Sequence, residues 1–202
     1  MNATLPINWF DVLTVMVLLF GVRQGRKHGL SEELMSMLKW LAIALGCAFL
    51  YHQVGSALAD HSVFSLLSSY LMAYVALGLV FFIGFSYLKK AAGGKLIGSD
   101  AFGSSEFYLG MVAGVVRLGC VLIASLALLN ARAYSTAEIQ AAERYQNEVY
   151  GSDFFPSLYE VQSQVFQHSL TGSFIRGQLG FLLIKPTVPE SKEFQQREFA
   201  TP

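Results

Sequence analysis

The sequence predicts an all-α membrane protein of four transmembrane helices, followed by a C-terminal extramembrane helical region. Three observations predict it. Only 14% of the 202 residues are charged, against about 25% in an ordinary soluble protein. Hydrophobic residues make up 53% and are gathered in long blocks over the first two thirds of the chain, a segregation that a soluble core does not show. Four of those blocks approach the ~20 residues needed to cross ~30 Å of hydrocarbon.

The first block is residues 5–22, broken by Asn8 and Asp11. No basic residue precedes it as the n-region of a cleaved signal would require, so it is expected to be a retained helix. A basic segment follows, with Arg23, Arg26 and Lys27. Ser31 is expected to cap the second helix, with Glu32 and Glu33 in the first turn, where the helix dipole favours them. The second block, 34–51, is interrupted by Lys39, and the third, 63–88, carries no formal charge. Lys89 and Lys90 end it, and a Gly/Ser-rich loop containing Lys95 leads to the fourth block, 107–129, which contains Arg117. These blocks define a transmembrane domain over residues 5–130.

From Asn130 the composition turns polar. Ser135-Thr136-Ala137-Glu138 has the form of a capping box, opening a helix expected to end near Gly151. A second amphipathic helix is expected after Pro156, with Leu158, Val161, Val165 and Phe166 on one stripe. Residues 181–184 are apolar but too few to span. Residues 131–185 are therefore expected to form an amphipathic helical region outside the membrane, and 186–202 a disordered tail.

Orientation follows from the positive charges. The loops after the first and third blocks hold Arg23, Arg26, Lys27, Lys89, Lys90 and Lys95, and the loop between them holds no Lys or Arg. The positive-inside rule places both basic loops in the cytoplasm. Both termini are then expected on the outer face, which in a bacterium is the periplasm.

Charges within apolar blocks are functional-site candidates by default. Asp11 and Arg117 are expected at similar depth and to pair, joining the first helix to the fourth. The competing readings are a proton or ion path using both, and snorkelling without a role. Lys39 is shallow enough to snorkel. Gly21, Gly25 and Gly29, with Gly110 and Gly114, recur every four residues, a spacing that lets helices approach closely within the bundle or in self-association. Cys47 and Cys120 read as buried thiols. His28, His52, His61 and His168 lack metal-ligand spacing, and no catalytic motif or phosphate loop is present. No cofactor, metal or nucleic-acid partner is expected, the net charge being zero.

Asp11, Gly21, Arg23, Gly25, Gly29, Glu33 and Trp40, followed by Leu109-Gly110, Gly114, Arg117 and Gly119, resemble the pattern of the colicin V production protein (CvpA) family. The resemblance covers about residues 8–130. It implies a four-helix inner-membrane protein associated with toxin production or export and with envelope homeostasis, without catalytic activity. Two functions compete for such a chain. One is a scaffold or accessory factor that binds an unknown membrane or periplasmic protein, alone or as a homo-oligomer. The other is a small oligomeric channel or transporter using Asp11 and Arg117. A pore needs a polar stripe, and the serines of the third block (Ser65, Ser68, Ser69 and Ser86) lie near its ends, which favours the scaffold. A membrane enzyme is the weakest alternative.

Overall fold

In this computed structural model the described residues are 8–61, 64–92, 103–136, 138–140, 144 and 157–188. Three helices in it are long and apolar enough to cross a membrane: α1 (Trp9–His61), α2 (Leu66–Ala92) and α3 (Glu106–Asn130). Two short helices, α4 (Leu158–Phe166) and α5 (Leu170–Gln178), follow. Short 3-10 turns stand at Gly103–Ser105 and Gly180–Leu182. Among the described residues the β-content is one isolated bridge, between Arg132 and Thr187. The chain is an all-α membrane protein.

The first two apolar blocks lie in one element, and the reason is local. Residues 23–28, expected as a loop, are helical, because Arg, Gln and Lys are good helix formers. The single interruption is Gly29, at φ 71° and ψ 175°, a conformation open essentially to glycine alone. The break therefore falls two residues before the expected cap, Ser31. It separates a first limb, residues 9–28, from a second limb, residues 30–61. The second limb continues well past the expected end at Tyr51, to His61.

The chain reverses direction at Gly29. A straight helix would separate Asn8 from Tyr51 by about 65 Å at ~1.5 Å per residue. Yet Asn8 hydrogen-bonds Gln164, and the Tyr51 hydroxyl accepts from the Lys185 N–H at 3.1 Å, so both ends meet the same C-terminal segment. The first limb runs antiparallel to α3: Gly21 faces Gly114 and Gly25 faces Gly110. The second limb runs antiparallel to α2, with Gly55 on Tyr70, Cys47 on Tyr74 and Gly46 on Phe81.

The glycine faces predicted from spacing pack inside the bundle. A Cβ at Gly25 or Gly110 would collide with the other's carbonyl, and one at Gly21 or Gly114 would do the same. Only glycine permits this separation of backbones. Elsewhere the helices turn large apolar side chains outward, including Met16, Leu19, Val80 and Val112. Such a surface is stable against hydrocarbon and not against water.

One buried cluster joins Phe10, Cys47, Tyr51, Tyr70, Tyr74 and Leu126 to Val165, Phe166, Ile175 and Ile184. The C-terminal segment 157–188 is thus a cap on the end of the bundle opposite Gly29. In α4 the apolar stripe divides: Val165 and Phe166 are buried, Val161 is half-buried, and Leu158 is exposed. Of residues 181–184, too short to span, Leu182, Leu183 and Ile184 plug this end, with Ile184 at 0% exposure, while Phe181 faces outward. Residues 186–188, expected within a disordered tail, are held in place, because Thr187 exchanges two backbone hydrogen bonds with Ala131 and Ala133. The Ser135–Glu138 capping box forms in both directions, at 3.2 Å each. The expected helix end near Gly151 and residues 189–202 lie outside the described residues, as does Lys95.

Candidate functional site

Two buried polar constellations occupy opposite ends of the bundle. Asp11 is 7% exposed and faces the cap. Its Oδ1 accepts the Thr171 N–H at 2.8 Å, and its Oδ2 accepts the N–H groups of Leu170 at 3.1 Å and Asn8 at 3.0 Å. Leu170 and Thr171 open α5, and the first N–H groups of a helix have no partner within it. Ser169 caps the same helix by accepting from the Gly172 N–H at 2.9 Å. Asp11 therefore completes the N-terminus of α5 from outside, its negative charge facing the positive end of the helix dipole.

Further bonds fix the cap. Asn8 Nδ2 donates to Gln164 Oε1 at 2.7 Å and to its carbonyl at 3.1 Å. Asn130 Nδ2 donates to the Ile184 carbonyl at 2.9 Å. Gln162 Nε2 reaches the carbonyls of Leu129 and Arg132 at 3.1 and 3.0 Å, where α3 ends and its last carbonyls need donors. Exposed, half-buried and buried amides alike are used as staples between helix ends. Burial raises the pKa of Tyr134, which lies beside this junction.

Arg117 lies toward the other end. Its Nη1 is 2.9 Å from Glu33 Oε2 and donates to Glu33 Oε1 at 3.2 Å, and its Nη2 donates to Gln24 Oε1 at 2.6 Å. Glu33 is 2% exposed, so the pair is withdrawn from solvent and from lipid. His28 Nδ1 approaches Glu33 Oε1 to 3.6 Å. About three turns earlier in α3, Glu106 Oε1 accepts the Ser31 hydroxyl at 2.6 Å, beside the break at Gly29. Arg117 thus ties both limbs of α1 to α3, and Glu106 closes the turn between them.

The expected Asp11–Arg117 pair is not what forms. Asp11 and Gln24 are about 20 Å apart along one helix at ~1.5 Å per residue, and the Arg117 side chain extends toward Gln24. Backbone position alone does not give the depth of this charge, because a guanidinium reaches several ångströms from its own Cα. Each charge instead has a nearer partner. On sequence grounds Glu33 has a dipole role and a place in the family pattern, and a further signal is that Gly21, Gly25, Gly29 and Glu33 continue one four-residue spacing, opposite Gly110, Gly114 and Arg117. Asn8, Gln24 and Ser169 carry no sequence signal of their roles.

Arg23, Arg26, Lys27, Lys89 and Lys90 gather at the Gly29 end, as the loop pattern implies, since α2 ends there in antiparallel packing. Lys39 lies with its Nζ 4.0 Å from the centroid of the Phe82 ring, a cation–π contact. Cys47 and Cys120 are buried free thiols. Among the described residues no group of three His, Cys, Asp or Glu side chains is placed to hold a metal ion.

Comparison with known proteins adds one match. The family described as colicin V production protein matches residues 10–162, three quarters of the chain. The match runs beyond residue 130, where the resemblance read from the glycines and charges stops, and reaches into α4. No curated protein and no solved structure matches the chain.

Proposed function

Because the chain belongs to the colicin V production protein family, we propose that it is a non-enzymatic scaffold or accessory factor of the bacterial inner membrane, serving toxin production or export and envelope homeostasis. The observation that carries this reading is the docked cap. Asp11, Asn8, Asn130 and Tyr51 hold segment 157–188 in fixed register on one end of the bundle. The cap buries one apolar face and leaves Leu170, Phe174 and Phe181 exposed. A rigid extramembrane platform with exposed aromatic side chains is suited to a membrane or periplasmic partner, because such anchors supply most of the energy of an interface.

The charge pattern supports a cytoplasmic Gly29 end and a periplasmic cap, with both termini outside and the bundle crossing four times. The transporter alternative needs Asp11 and Arg117 along a continuous polar path. Their engagement with separate structural partners, about 20 Å apart, weighs against it.

The test is genetic and biochemical together. In a toxin-secreting strain, deletion of the gene should reduce secreted toxin, and the wild-type chain should restore it. Phe174→Ser with Phe181→Ser should fail to restore it while leaving the cap protected from protease. A photo-crosslinking side chain at 174 should give one discrete adduct in cells. Full restoration by the double variant, or ion flux in reconstituted vesicles abolished by Arg117→Gln, would defeat the scaffold reading.

A further inference from the structure

At the Gly29 end, the first limb of α1 and the start of α3 enclose an open groove of about 710 Å³ lined by Phe20, Arg23, Gln24, Arg26, Lys27, His28 and Phe107. Its composition is unusual for a lipid-facing surface. Phe20 and Phe107 are 61% and 55% exposed. Among the described residues no carboxylate pairs with Arg23, Arg26 or Lys27. At this end Glu33 is committed to Arg117 and Glu106 to Ser31, while Glu32 is exposed.

We propose that this groove binds the phosphate-bearing headgroup of an anionic glycerophospholipid. The proposal rests on the membrane-spanning reading and not on the scaffold role. Charge complementarity selects the headgroup: Arg and Lys donate several charge-assisted hydrogen bonds to phosphate oxygens, and Gln24 and His28 add polar atoms beside them. The apolar walls select a lipid over a soluble phosphate. Phe20 lies one turn from Arg23 and Gln24, toward the bilayer interior, so an acyl chain leaving the headgroup would run along it. Basic pockets between helices on the cytoplasmic side are suited to acidic headgroups. The volume accommodates a headgroup together with the first part of its chains.

The full chain, delipidated in mild detergent, is offered phosphatidylglycerol or phosphatidylcholine at equal concentration, and bound lipid is counted by native mass spectrometry. The wild-type chain should retain phosphatidylglycerol at least tenfold better. Arg23→Gln with Lys27→Gln should reduce that retention roughly tenfold or more. Lys89→Gln with Lys90→Gln removes the same charge from the same end outside the groove, and should leave retention near the wild-type value. A photoactivatable phosphatidylglycerol should label peptides spanning 20–28 and 107–111, a readout that needs no variant. Equal loss from both charge pairs, no preference in the wild-type chain, labelling elsewhere, or displacement by millimolar inorganic phosphate would overturn the proposal.

Discussion

Arg117 and Asp11 illustrate how an intramembrane charge is made tolerable by unlike means. Arg117 is neutralised by a buried carboxylate and donates to a side-chain amide oxygen, whereas Asp11 is stabilised by backbone N–H groups at a helix start. The two should therefore respond differently to mutation. Glu33→Ala strands the Arg117 guanidinium and should destabilise the bundle by about 3–5 kcal/mol, and Glu33→Leu with Arg117→Met should recover most of it. Asp11→Ala should cost about 1–3 kcal/mol through the orphaned N–H groups of α5, read as faster proteolysis within 157–188 while the bundle stays folded. A double-mutant cycle between Asp11 and Arg117 should show a coupling indistinguishable from zero, because the sites share no partner. A coupling above ~1 kcal/mol would contradict these assignments.

At the scale of elements, the contact between the first limb of α1 and α3 rests on what glycine lacks. Gly25→Leu should drive the two helices apart and lower the melting temperature of the detergent-solubilised chain by many degrees. Gly119→Ala should be neutral or slightly stabilising, since a Cβ there meets nothing within 4 Å and alanine is the better helix former by ~1 kcal/mol. The contrast separates packing glycines from incidental ones within one helix, since Gly114 keeps the four-residue spacing and Gly119 does not. Gly29→Ala should be costly for another reason. Its positive φ is disfavoured for any L side chain, and Glu106 lies against the site a Cβ would occupy. A Gly25→Leu chain as stable as wild type would remove the packing argument.

For the whole molecule, the two ends are chemically distinct: one basic and grooved, the other covered by a cap. A reporter active only outside the cytoplasm should therefore give signal when fused after Pro202 and none when inserted at Gly94. The reverse result would invert the orientation. A chain ending at Asn130 should still insert, because the three membrane-length helices are complete without the cap. Residues 131–202 expressed alone should not yield a monomeric, cooperatively melting domain, since Val165, Phe166, Ile175 and Ile184 bury themselves partly against Phe10, Tyr51 and Leu126 of the bundle. A sharp monomeric transition from that fragment would show an independent domain.

The apolar blocks, the glycine spacing and the clustering of Lys and Arg are properties of short segments, and by themselves they determined an all-α membrane protein with close-packed glycine faces and one basic end. Helix propensity and hydrocarbon thickness act locally, so a linear chain records them. The tertiary structure decided which charge meets which. Glu33 and Arg117 are 84 residues apart and Asp11 and Thr171 160 apart, and these partnerships depend on the reversal at Gly29 and on the reach of long side chains. The same holds for the apolar run 181–184: four residues have no periodicity to read, and only the open end of a bundle gives Leu182, Leu183 and Ile184 a place to be buried.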